Sequence, residues 1–79
     1  MLIDVIGVIP KDNFLLLLEF ENGEKKEFDC KTLFDKKPFH KLQDRYFFNR
    51  AKVSFGTVAW SDEIDIAPET LYLDSKPIN

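Results

Sequence analysis

Cysteine and histidine occur once each, at Cys30 and His40. One thiol excludes an internal disulfide and points to a reducing compartment, the cytoplasm. A transition-metal site needs three or four converging ligands, and one imidazole with one thiol falls short. The two stand ten positions apart across a Lys36-Lys37-Pro38 breaker, so nothing in the spacing pairs them as nucleophile and base. Glycine is scarce too: Gly7, Gly23 and Gly56 are isolated, and no phosphate-cradling loop can be built from them. Ser54, Ser61 and Ser75 lie in no nucleophile-elbow context. The longest unbroken apolar run, Phe14 to Leu18, is far too short to cross a bilayer. The start, Met1-Leu2-Ile3-Asp4, lacks the basic stretch and long apolar core of a signal peptide. These absences lead to an expectation of a soluble, cytoplasmic, non-enzymatic chain with no cofactor and no metal.

What is present suits one small domain. The 79 residues are 44% hydrophobic and include eight phenylalanines, enough for one core despite 32% charged residues. A chain of this length buries only roughly 60–65% of the surface that its unfolded form exposes, so its stability margin is thin unless it oligomerises.

The stretch from Phe14 to Asp29 organises the rest. An apolar run, a polar turn with Asn22-Gly23 and a charged strand with one aromatic read as a β-hairpin. A two-residue Asn22-Gly23 turn would set Leu17 opposite Phe28. A three-residue loop, Glu21-Asn22-Gly23, instead puts Leu16, Leu18, Phe20 and Phe28 on one face, as a half-buried strand requires. That loop needs Gly23 at positive φ, and it is the expected one. Leu15 and Leu17 then fall on the opposite face beside Glu19, Glu27 and Asp29. Either a second cover lies over them (the chain's own helices or another subunit) or they are tolerated surface leucines.

Ile3 to Ile9 reads as a first strand ending at Pro10, followed by a Pro10-Lys11-Asp12-Asn13 turn. Asp29 suits the cap of a helical turn over Cys30–Phe34, Phe39–Leu42 forms a second turn, and Asp44 caps a helix through Asn49. Ala51–Phe55 and Thr57–Trp60 flank Gly56 as a second hairpin, with Val53, Phe55, Val58 and Trp60 as its apolar set. Ile64-Asp65-Ile66 is a brief extended piece, and Pro68 opens a closing helix. Residues 76–79 are expected to fray. The expected fold is α+β: an antiparallel sheet of about five strands, a three-stranded meander plus the second hairpin, with short helices. A partly open small barrel is the alternative.

Charge is arranged in blocks. Residues 1–29 carry a balance of −4, residues 30–52 of +5, and residues 53–79 of −4. In the middle block Lys36, Lys37, Lys41 and four further bases are interleaved with aromatics. That pattern suits nucleic acid, with phosphates on cations and bases on rings, but it equally describes a helical segment with aromatics inside and lysines in water. The second reading is preferred because an acidic chain repels polyanions. Asp62, Glu63 and Asp65 lack the ordered loop of a Mg²⁺ or Ca²⁺ site. Asp65 is read as a structural carboxylate accepting from the backbone near Pro68. Trp60, the largest apolar side chain, is either buried with a partner for its N–H or exposed at an interface, and burial is preferred.

Taken together, Phe20-Glu21-Asn22-Gly23-Glu24, Phe28-Asp29, Phe39…Leu42-x-Asp44…Phe48, and Val53…Thr57-Val58-x-Trp60…Ile64-Asp65-Ile66-x-Pro68-Glu69-Thr70-Leu71-Tyr72 resemble domain-of-unknown-function family 2442, found in bacteria. The resemblance runs over about residues 3–73. Lys25 and Lys26 fit the basic residues common after the family's hairpin, whereas Ala67 stands where an acid is frequent. The resemblance implies a small α+β domain with no catalytic motif to carry over. Some members look fused to a helix-turn-helix, and no such pattern is read in residues 1–79. Others are encoded beside a small partner, which implies an antitoxin-like role in a two-protein system. The expected partner is therefore a protein, or a second copy in a homodimer. Nucleic acid is the alternative, and no membrane partner is expected.

Overall fold

The computed structural model describes residues 3–78. The first hairpin forms as its register test required. Strand β2 (Leu15–Phe20) pairs with β3 (Lys25–Asp29) so that Leu16 faces Phe28 and Leu18 faces Lys26. The loop between them holds Glu21, Asn22 and Gly23. The Gly23 N–H donates to the Phe20 carbonyl at 2.9 Å, and Gly23 has φ +89°. Leu16, Leu18, Phe20 and Phe28 are buried together.

Strand β1 (Val5–Lys11) lies antiparallel on the other side of β2. It runs through Pro10 rather than stopping there, and a 3₁₀ turn at Asp12–Phe14 takes the place of the expected turn. Pairing shifts between Val5 and Gly7, leaving Ile6 as the extra residue of a β-bulge. The bulge explains the weak alternation of this stretch: Val5 and Val8 both face inward, three positions apart, and Ile6 is turned to solvent. Lys76–Pro77, expected within a frayed tail, forms a short strand β7 on the open edge of β3; Asn79 lies outside the described residues. The first sheet is thus four-stranded, in the order β1-β2-β3-β7.

Strands β4 (Lys52–Ser54), β5 (Thr57–Ser61) and β6 (Ile64–Asp65) build a second sheet of three strands, in the order β4-β5-β6. The fold class is α+β with antiparallel sheets, but the expected single sheet of about five strands is divided in two. The reason is local. The β1–β2 register shifts at the bulge, and on its other side Val5 meets the second hairpin through a single hydrogen bond, from its N–H to the Gly56 carbonyl at 2.9 Å. One bond joins the hairpins without continuing a ladder.

The helical parts are short and start where sequence signals place them. Asp29 accepts from the Lys31 N–H and opens a 3₁₀ turn over Cys30–Leu33. A third 3₁₀ turn covers Phe39–Gln43. Asp44 accepts from the Tyr46 N–H at 3.0 Å and caps helix α1 (Arg45–Phe48). Pro68 begins helix α2 (Pro68–Asp74), where its missing N–H costs no helical bond.

These elements meet in one core. The inner face of the first sheet packs with Val58, Trp60, Ile64 and Ile66 of the second-sheet region and with Leu33, Leu42, Phe48 and Leu71 from the helical segments. Strand β5 is buried from Thr57 to Trp60, on both of its faces, which makes it the central strand of its sheet. Trp60 is 2% exposed, and its indole N–H donates to the Phe48 carbonyl at 2.9 Å. That bond ties the sheet to the end of α1 while satisfying the one polar atom of the ring. Replacing Trp60 by alanine is expected to cost about 3–5 kcal/mol, the range for a large core aromatic, measured by urea denaturation. A change below about 1 kcal/mol would contradict this packing.

Candidate functional site

The residues singled out from sequence fall in different places. Trp60 is a core residue, as described. Asp65 lies exposed in β6 and makes no side-chain hydrogen bond among those described, so the expected capping role is not seen; Ala67 occupies the cap position of α2 and offers no side-chain acceptor. Leu15 and Leu17 point to the outer face of the first sheet. Lys36 borders a cleft, and Lys37 and Lys41 are exposed.

That cleft, of about 750 Å³, lies between the Cys30–Leu33 turn, β3 and α2. Its floor is apolar, with Phe28, Leu33 and Ile66 buried, and Lys36, Asp74 and Lys76 stand exposed at its border. Both signs of charge line it. Among the described residues every buried side-chain polar atom already has a hydrogen-bond partner, so no buried donor or acceptor in the cleft awaits a ligand. No three His, Cys, Asp or Glu side chains among the described residues converge as a metal ion requires.

Three of the seven bases in the basic block are engaged within the fold, while Lys36, Lys37, Lys41 and Lys52 are exposed. Lys31 Nζ donates to the Asn13 carbonyl at 2.6 Å and pairs with Asp29 at 3.2 Å. The Arg45 guanidinium bonds Asp12 at 3.0 Å and lies over the Phe14 and Phe48 rings. Arg50 sits over Phe47 at 5.9 Å. Of the interleaved aromatics, Phe48 is buried and Phe34, Phe39 and Phe47 pack against the core, which leaves Tyr46 well exposed.

The outer face of the first sheet gathers residues from all four of its strands. By register it carries Gly7, Ile9 and Lys11 from β1, Leu15, Leu17 and Glu19 from β2, Lys25, Glu27 and Asp29 from β3, and Lys76 from β7. Ile9 is 56% exposed, Leu15 and Leu17 are half-buried, and none of the three belongs to the core cluster. The helical segments send their buried residues to the inner face, and Asp74 at the end of α2 borders the outer one beside Leu15 and Glu27. Because Gly7 has no side chain, a depression of about 130 Å³ opens between Ile9, Leu17 and Glu19. Three lysines and three acids surround this apolar centre.

Two features escaped sequence reasoning. One is a polar clasp between α2 and the first hairpin. The Tyr72 hydroxyl donates to Glu24 at 2.9 Å, and Lys26 Nζ donates to the Tyr72 carbonyl at 2.8 Å while lying 3.8 Å from the ring centre. The bond to Glu24 holds the phenol proton and raises its pKa. The other is the second hairpin's apolar set: Val58 and Trp60 are buried, whereas Val53 is exposed in β4 and Phe55, in the turn, stands in solvent.

The fold and surface define a class: a small two-sheet α+β domain with a partly exposed apolar sheet face and no convergent chemical centre among its described residues. A family model described as "Protein of unknown function (DUF2442)" matches residues 5–77, nearly the whole chain. The chain belongs to this family. No curated protein and no solved structure matches it. No helix among the described residues is long and apolar enough to cross a membrane.

Cys30 is fully buried, and its thiol is pushed up to about 12 by desolvation, with the neighbouring Asp29 carboxylate adding to it. A thiol held neutral reacts slowly, so native protein at pH 8 is expected to resist a disulfide exchange reagent and to react fully in urea. The unfolded thiol ionises first, at about 9, and the folded one only near 12, so this group's contribution to stability declines as pH rises through that window. Fast native-state labelling of Cys30 would contradict the burial.

Proposed function

We propose that this domain acts by binding protein and that the outer face of the first sheet is the surface it uses, with a second copy of the chain as its first partner. The observation that carries the reading is the partly exposed apolar centre of Ile9, Leu15 and Leu17, with the Gly7 depression beside it. Exposed leucines and isoleucines occur singly on most proteins, but a contiguous group on a flat sheet is a surface for association. Charge permits self-pairing. Lys11, Lys25 and Lys76 balance Glu19, Glu27 and Asp29, so the face carries no net charge to hold two copies apart. Face-to-face sheet packing is a common way to bury such surfaces. The antitoxin-like role implied by the family resemblance, one small protein held against another in a two-protein system, requires a surface of this kind.

Light scattering at micromolar concentration tests the reading. The expected mass is twice the 9.3 kDa of one chain, and Leu17→Glu is expected to halve it while leaving the fold intact by circular dichroism. A mass of 9.3 kDa that does not change with concentration would remove the support for self-pairing.

Nucleic acid is the second reading, and the exposed ring of Tyr46, within the basic segment that also exposes Lys36, Lys37 and Lys41, is what favours it. With Lys31 and Arg45 already paired to carboxylates, binding of a generic oligonucleotide is expected to be weaker than roughly 100 μM at physiological salt. Micromolar, salt-sensitive binding lost on changing Lys36, Lys37 and Lys41 to glutamate would reverse the ranking.

A further inference from the structure

The second hairpin turns on two residues. Ser54 pairs with Thr57, so Phe55 and Gly56 alone form the connection, with φ +50° and +79°. Positive φ at both positions is the geometry of the mirror-image turn that matches strand twist, and it favours asparagine, aspartate or glycine at the first position. Phenylalanine there is held in the left-handed region, which a bulky side chain adopts at a cost. Its side chain recovers nothing within the chain, because Phe55 is 103% exposed. The position is therefore unfavourable twice over, in backbone and in solvation.

The turn is nonetheless held firmly. The Gly56 carbonyl accepts from the Val5 N–H at 2.9 Å. The Asp4 carboxylate lies against Gly56, at 2.6 Å from where a side-chain carbon would stand. Asp4 is fixed in turn to the first hairpin's loop: its N–H donates to the Glu21 carboxylate at 3.0 Å, and its carbonyl accepts from the Glu21 N–H at 2.9 Å. Phe55 thus projects from a pinned backbone, so little main-chain freedom is left to lose on binding. Beside it stand two carboxylates, Asp4 and Glu21, neither ion-paired among the described residues.

We infer that Phe55 is the anchor of a second docking surface, for a different protein that offers an apolar pocket bordered by lysine or arginine. The ring supplies the apolar anchor typical of interface hot spots, and the two carboxylates supply charge complementary to a basic border. The same carboxylates disfavour phosphate backbones and anionic lipid surfaces at this point. This surface goes beyond the outer sheet face and does not depend on self-pairing.

Phe55→Asn separates function from fold. Asparagine suits the turn, so the melting temperature is expected to hold or to rise by a few degrees, whereas a fall of several degrees would make the ring part of the chain's own stability and overturn the inference. The full chain carrying p-benzoylphenylalanine at position 55 is then irradiated in the cells it comes from, with the same residue at exposed Leu73 as control. One adduct to a different polypeptide, specific to position 55, is expected. That polypeptide, identified and purified, should bind the unmodified chain, lose about 30-fold or more in affinity with Phe55→Asn, and lose the salt dependence of binding with Asp4→Asn and Glu21→Gln. No adduct, an adduct only to a second copy, or an affinity indifferent to Phe55→Asn would overturn it. Leu17→Glu should leave this binding unchanged, so failure of the sheet-face reading is read separately.

Discussion

The pairing of Leu16 with Phe28 is the constraint on which the rest depends. Side chains alternate across a strand, so a slip of one residue would send Leu16, Leu18 and Phe20 into water and bring Leu15, Leu17 and Glu19 inward. The three-residue loop ending at Gly23 prevents that slip. With the register fixed, the inner face can receive Trp60, Phe48 and Leu71, and the outer face acquires its own composition. The core and the candidate interaction surface are two sides of one register decision.

Much of this was legible because local chemistry and packing agree. Asp29 and Asp44 are good caps and do cap; Pro68 suits the first position of a helix and occupies it; Asn22-Gly23 marks a hairpin and closes one. Other features were not legible, for identifiable reasons. The bulge at Ile6 had one signal, the isolated Gly7 beside it, but nothing in the residues shows that the second hairpin stays in its own sheet, joined to Val5 by one hydrogen bond. Strand β7 contains only two residues, one of them proline, too few to show alternation. Asp65 stands between two buried isoleucines, but alternation turns its side chain outward, away from the helix start that a cap would have to reach.

Phe55 and the outer-face leucines illustrate a general limit of pattern reading. The spacing of Phe55 from Val53 suits a strand, yet the turn takes Phe55 and leaves a strand of three residues, none of them buried. At Leu15 and Leu17 spacing leaves two outcomes open, since sequence does not say whether a second layer lies over a sheet. The candidate surfaces lie where composition and fold disagree, and such disagreements are expected where a protein meets something else.

Proline stands in both outer strands of the first sheet, Pro10 in β1 and Pro77 in β7. Neither residue has an N–H to offer an added strand, and the bulge at Ile6 bends the β1 edge further from a regular template. The segment most prone to amyloid-like stacking, the leucine run of β2, is held between β1 and β3 with both of its edges already paired. A domain that keeps an apolar sheet face open to partners can thereby remain safe from fibre growth, because faces stack in pairs whereas edges add strands without limit.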